Sequence, residues 1–137
     1  MPVKPREIRC AVELAADGAF RDESAVRLDV PPEWTPEHIL LAALVRCSLA
    51  SLGYHAQRAG LVVGETSGTA RGMVTKRESD ERYAVVEVDV ELSIALEPDP
   101  DDLPALLAKA ERDCFVGASL TAKPRYRWTV NGRIAGA

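Results

Sequence analysis

Thr35-Pro36-Glu37-His38-Ile39-Leu40-Leu41-Ala42-Ala43-Leu44-Val45-Arg46-Cys47-Ser48 is the stretch on which the reading of the whole chain turns. Thr35 offers a capping hydroxyl, and Pro36 stands at the first helical position, where no amide donor is lost. Ile39, Leu40, Ala43, Leu44, Cys47, Ala50 and Tyr54 recur at helical spacing without a glycine before Gly53, so a long buried helix is predicted from Thr35 to near Gly60. A second helix is predicted over Asp101–Cys114. Its head carries Asp101 and Asp102, and Leu103, Leu106, Leu107, Ala110 and Cys114 form one stripe. Cys47 and Cys114 therefore occupy matching positions late in two helices, which suggests a thiol pair that meets in the fold.

Working outward, the flanking segments read as strands. Ile8, Cys10, Val12 and Leu14 alternate with Arg9, Ala11 and Glu13, and Asp17-Gly18 is a natural turn into a second strand around Ala25–Val30. In that second strand Val26, Leu28 and Val30 share one face, so Arg27 points away from the apolar row. Leu61–Thr75, with glycines at 64, 68 and 72, suits a twisted or bulged strand, and the charged segment Lys76–Arg82 marks a turn. Val86, Val88, Val90, Leu92, Ile94 and Leu96 alternate with polar or small residues in the clearest strand of the chain. Tyr126, Trp128 and Val130 alternate with Arg125, Arg127 and Thr129 as a last strand before Asn131-Gly132. The pattern is α+β within a single domain spanning residues 1–137.

Composition narrows the function classes. With 137 residues and 47% hydrophobic content the chain can bury a substantial core, and a net charge of −4 gives no general attraction to phosphate backbones or anionic lipid. Neither nucleic acid nor membrane is expected as a partner. Tyr126 and Trp128 beside Arg125 and Arg127 resemble a nucleic-acid-binding strand only superficially, because the surrounding domain is acidic. The start, Met1–Glu7, lacks the apolar centre of a secretory signal, and the longest apolar run, Ile39–Val45, is far short of the roughly 20 residues that span a bilayer, so a cytoplasmic location is expected. Three cysteines, none in CxxC spacing, favour reduced or redox-active thiols over a secreted disulfide scaffold. His38 and His55 lie too far apart on one helix to share a metal, and neither a metal nor an organic cofactor is expected.

For Cys47 and Cys114 two readings stand side by side: small apolar core residues, or a reactive pair. A thiol with a pKa of about 8.5 is mostly protonated at neutral pH, so a reactive cysteine needs a nearby cation or aligned donors, and an arginine partner is what to seek. Cys10, on the apolar side of the first strand, reads as structural.

Arg27, the Thr35-Pro36-Glu37 helix start, Leu41-Ala42-Ala43-Leu44-Val45-Arg46-Cys47-Ser48 and Cys114-Phe115-Val116-Gly117-Ala118-Ser119-Leu120 together resemble the superfamily of osmotically inducible protein C and organic hydroperoxide resistance proteins (OsmC/Ohr), in its OsmC-like branch. The resemblance runs through nearly the whole chain. It implies an OsmC-like fold, a strongly curved antiparallel sheet with two long central helices, in an intertwined homodimer with active sites near the interface. It also implies a cysteine-based peroxidase acting on organic hydroperoxides or hydrogen peroxide in oxidative stress defence. Cys47 would be the attacking thiolate and Cys114 the resolving thiol, giving a Cys47–Cys114 disulfide that a dithiol or lipoylated-protein reductant reopens.

By the same resemblance Arg27 matches the activating arginine, with Arg21 a competing choice, and Glu37 the carboxylate that fixes it. Their bland reading is a surface ion pair worth little. Glu37 and Cys47 are ten positions apart, roughly 15 Å along a continuous helix, so an arginine must bridge them or a partner chain must contribute. Two departures bear on resolution: Phe115 stands where many members have proline, and Gly117 where they have serine. Arg46 replaces a smaller residue before Cys47, either adding charge near the thiol or pointing to solvent. Trp34, Phe20 and Phe115 would line an apolar approach or simply pack. The rival from another class is a non-enzymatic OsmC-like domain that binds a small apolar ligand or senses redox state at the dimer groove.

Overall fold

The alternating run Tyr83–Glu97, β5, is the spine of the larger part of the molecule. In the computed structural model, which describes residues 3–135, Val88, Val90, Leu92, Ile94 and Leu96 are buried while Glu87, Glu91, Ser93 and Ala95 are exposed. Met1 and Pro2, part of the start read for a leader, lie outside the described residues. The chain divides into two compact units, one up to Thr35 and one from Pro36.

In the second unit the sheet order is β4-β5-β6-β7. β4 (Val62–Lys76) runs antiparallel to β5, with register shifts between Val63 and Thr66 and between Met73 and Val74. At Gly68 a Cβ would stand 2.5 Å from Leu92 Cδ2 and 2.8 Å from the Glu91 carbonyl, so this close approach of two strands requires glycine. β6 (Arg125–Val130) pairs with β5 in parallel, within a sheet otherwise antiparallel. A parallel pair needs a crossover, here built from α2 (Leu103–Arg112) and α3 (Phe115–Ser119). β7 (Arg133–Ala135) returns on β6 through Asn131-Gly132, whose φ values of 53° and 80° are those of a tight type I′ hairpin. The Asn131 side chain accepts from the Leu96 N–H at 2.9 Å and donates to the Leu96 carbonyl at 3.0 Å, tying that turn to the end of β5.

The long helix α1 (Pro36–Arg58) opens at the proline and contacts α2, α3 and β4. Its buried face is Leu44, Ser48, Ser51, Leu52 and Ala56, whereas Ile39, Ala50 and Tyr54, expected on the inner stripe, are exposed. The helix is apolar on more than one side, and the inner side is the one with the serines. By length and composition α1 would also suffice to cross a membrane, a test that the core helix of a soluble protein passes equally. Leu106, Leu107 and Ala110 of α2, with Trp128 and Val130 of β6, complete the core.

The first unit is a three-stranded antiparallel sheet, β1 (Val12–Leu14), β2 (Phe20–Asp22) and β3 (Arg27–Leu28). The Asp17-Gly18 turn forms as expected, with Gly18 at φ 88° and Asp17 accepting the Ala19 N–H at 2.9 Å. The segment read as one strand over Ala25–Val30 is instead β3 preceded by a second turn. There Asp22 Oδ1 accepts the N–H groups of Ser24 and Val26 at 2.8 and 2.9 Å. Cys10 precedes β1 and is exposed, which corrects its reading as a packed strand residue. The α+β class read from the sequence is what the chain forms, with three helices and two sheets among the described residues.

Candidate redox site

Cys47 lies in the fourth turn of α1 on the flank of the buried stripe and is half-buried. Ser48, the next residue, sits in the stripe itself and is fully buried. Across from them the second predicted helix does not continue through Cys114. It stops at Arg112, and fully buried Cys114 caps α3, with φ −76° and ψ 108°. The break follows from what holds Asp113: His55 of α1 at 2.7 Å and Arg112 at 2.9 Å clamp its carboxylate. Ser51 adds a second tie between the helices by donating to the Ala110 carbonyl at 2.8 Å.

Cys114 Sγ accepts the Gly117 N–H at 3.4 Å and lies 3.5 Å from Ser48 Oγ, which in turn is 2.9 Å from the Tyr126 hydroxyl. The Tyr126 ring stacks on Trp128, 5.7 Å between centroids and 9° between planes, and the Trp128 indole N–H donates to Glu111 at 2.9 Å. The aromatic pair read as superficially like a base-stacking strand thus faces inward, while Arg125 is exposed and paired with Asp89. A Cβ at Gly117 would meet Cys114 Sγ and the Tyr126 hydroxyl at an ordinary 3.5 Å.

The two thiols interact, and their environments differ in sign. Burial pushes the Cys47 thiol above its ordinary pKa, and the hydrogen bond with Cys114 adds to this against the opposing amides of Val116 and Phe115. Burial also acts upward on Cys114. There the hydrogen bonds from Ser48, the Gly117 amide, Cys47 and Tyr126 outweigh it and leave the thiol below its ordinary value. Burial holds the Tyr126 phenol well above its usual range, so it is a proton donor throughout the physiological span.

The other expected site residues have settings of their own. Arg27 belongs to the first unit, where Asp29 takes its guanidinium at 2.8 Å and Asp17 at 3.1 Å; Arg21 also pairs with Asp17, at 3.5 Å. Glu37 is exposed on the first turn of α1, ten positions before Cys47 on one unbroken helix. Arg46, Trp34 and Phe115 are exposed as well. Among the described residues no group of three histidines, cysteines or carboxylates could hold a metal ion. Ser48 and Tyr126 escaped the sequence reading as site residues. The signal that pointed to Ser48 was its place four residues from both Leu44 and Leu52, on the face that packs.

Fold and site together define an α+β domain in which a thiol on a long helix meets a second thiol held by hydroxyl and amide donors. A sequence model of the family described as OsmC-like protein matches residues 29–129, and the chain belongs to that family. An OsmC-like protein from Mycoplasma pneumoniae superposes with a TM-score of 0.68 at 15% identity, covering 93% of this chain and 99% of that one. An OsmC-like protein of unknown function from Vibrio cholerae gives 0.70 at 14% identity, covering 90% and 99%. An organic hydroperoxide resistance protein from Elizabethkingia anophelis gives 0.58 at 18% identity, covering 93% and 96%. No curated protein matches the chain.

Proposed function

We propose that this protein is a cytoplasmic, homodimeric thiol peroxidase that reduces organic hydroperoxides or hydrogen peroxide in oxidative stress defence. The observation that carries the reading is the meeting of Cys47 and Cys114, far apart in sequence, as interacting free thiols. Membership of a family in which solved relatives are named organic hydroperoxide resistance proteins supports the substrate class.

The Cys47 thiolate attacks the hydroxyl oxygen of the hydroperoxide; the S–O bond forms, the O–O bond breaks, and the alkoxide leaves as alcohol after taking a proton. Sulfur loses two electrons and becomes the sulfenic acid. Cys114 then displaces hydroxide from Cys47 to close the disulfide, and an external dithiol or lipoylated protein reopens it. Because burial disfavours the Cys47 thiolate, the step needs a cation. Arg27 is assigned that role, with Arg21 as the competing residue and Glu37 as the carboxylate that orients the guanidinium.

A second copy of this chain is the proposed cover for the apolar side chains left exposed on α1 and on the first unit, including Ile39, Tyr54, Val12 and Leu28. The test of the activity is peroxide-dependent consumption of a dithiol. Cys47→Ser is expected to lower it by at least about 1,000-fold, as for loss of a covalent nucleophile. Unchanged turnover would overturn the assignment. Light scattering at micromolar concentration should give the mass of two chains, and a single-chain mass would remove the dimer.

A further inference from the structure

A resolving cysteine has to be ionised when the sulfenic acid forms, and a fully buried thiol is ill placed to ionise. In this chain the remedy lies in two hydroxyls. We propose that Ser48 and Tyr126 are positioning residues for the resolving step, holding Cys114 Sγ beside Cys47 as the thiolate that attacks the Cys47 sulfenic acid. This rests on the peroxidase reading above and assigns the part of that site that its second half-reaction uses.

Both hydroxyls can supply a proton toward a thiolate at Cys114, and one order of donors uses every printed contact. The Tyr126 O–H donates to Ser48 Oγ across 2.9 Å, and the Ser48 O–H, its single donor, is then directed to Cys114 Sγ at 3.5 Å, with the Gly117 N–H at 3.4 Å on the same sulfur. Each link is restrained. Ser48 is fully buried between Leu44 and Leu52 on the inner face of α1, a place where an alanine would pack without a polar group to satisfy. Tyr126 is kept in line by its stack on Trp128, and Trp128 by Glu111. The Asp113 clamp to His55 fixes the residue immediately before Cys114.

The step balances without a further reagent. The Cys114 thiolate forms the S–S bond at Cys47 Sγ as the S–O bond breaks, and hydroxide takes up the proton that Cys114 gave up, leaving as water. When Cys114 is less ionised, closure slows, and the Cys47 sulfenic acid meets a second peroxide and becomes sulfinic acid.

The test compares Ser48→Ala, Tyr126→Phe and Ser48→Thr in the full chain carrying Cys10→Ser, with cumene hydroperoxide as oxidant. Stopped-flow and mass spectrometry follow the sulfenic acid, the disulfide and the sulfinic acid. The first two variants should slow closure relative to sulfenic acid formation by at least about ten-fold, raise the pH midpoint of closure and increase the sulfinic product, while Ser48→Thr restores closure. An independent readout is thiolate absorbance at 240 nm in the chain carrying Cys10→Ser and Cys47→Ser, where Cys114 is the sole thiol. Its midpoint should lie below that of an ordinary thiol and rise with either Ser48→Ala or Tyr126→Phe. Midpoints and closure rates that do not move in folded variants overturn the proposal, and Tyr126→Phe decides alone if Ser48→Ala does not fold. Midpoints that move in a protein that consumes no peroxide leave the positioning intact and remove the peroxidase reading.

Discussion

The two units of the chain use their apolar residues in opposite ways. From Pro36 onward, Leu44, Leu52, Leu92, Ile94, Leu107 and Trp128 are shut away from water in one cluster. Before Thr35, Val12, Leu14, Val26 and Leu28 all stand exposed, and among the described residues of that segment Ala19 is the buried hydrophobic one. The second unit thus carries its own core and the thiol pair. The first is a small polar-stapled sheet, rich in ion pairs, with its apolar side chains exposed. Small sheets with so little burial depend on external cover.

That contrast can be broken most forcefully in the cores. Leu52→Ala removes a fully buried side chain of the second unit and should cost about 2–5 kcal/mol in chemical denaturation. Leu28→Ala in the first unit should stay within about 0.5 kcal/mol for the isolated chain, while weakening the dimer in dilution experiments. A large cost for Leu28→Ala that does not depend on concentration would erase the distinction between the units.

The division of labour is sharpened by charge. Arg27→Ala should slow peroxide reduction about 10–100-fold, by leaving the Cys47 thiolate without its cation, and leave thermal stability nearly unaltered because its partners are exposed. If Arg21→Ala produces that loss and Arg27→Ala does not, the activating role passes to Arg21.

The smallest effect concerns the clamp of the second unit. Arg112, together with His55, lowers the Asp113 carboxyl from 3.8 to about 2. A depressed folded-state value means that the native chain holds fewer protons than the unfolded one in this range. The stability it contributes is therefore present above pH 3.8 and lost as pH falls through about 2. Asp113→Asn should flatten the decline in Tm over that interval, and an unaltered decline would show that the clamp adds nothing to acid stability.

Much of the architecture is legible in the chain because local chemistry and packing agree there. The strict alternation of β5, the Pro36 helix start, the Asp17-Gly18 turn and the glycines of β4 each state their structure in a few residues. Legibility fails where polar residues are buried by partners distant in sequence. Hydrophobic spacing put Ile39, Ala50 and Tyr54 on the inner face of α1, since nothing in the local pattern says that Ser48 will meet Tyr126 and Ser51 the Ala110 carbonyl. The end of α2 depended on His55 reaching Asp113, a contact spanning 58 positions. β7 was missed, since Tyr126–Val130 read as the last strand: Asn131-Gly132 is a hairpin turn, but the strand after it is short and weakly patterned. In the site, the two thiols were legible as a pair, while the hydroxyls that differentiate them were hidden in a helix face and a strand read for other purposes.

The parallel pairing of β5 with β6 has a temporal consequence. Its ladder joins Asp89 to Arg125 and cannot close until the whole crossover has been laid down, and such non-local closures come late and slowly in folding. Cys114 belongs to that crossover, and Tyr126 to the strand beyond it. On a ribosome, therefore, Cys47 emerges and enters its helix well before either can join it. The nascent chain then carries Cys10 and Cys47 without Cys114, and the Cys47–Cys114 pair comes into being only as the last strands dock.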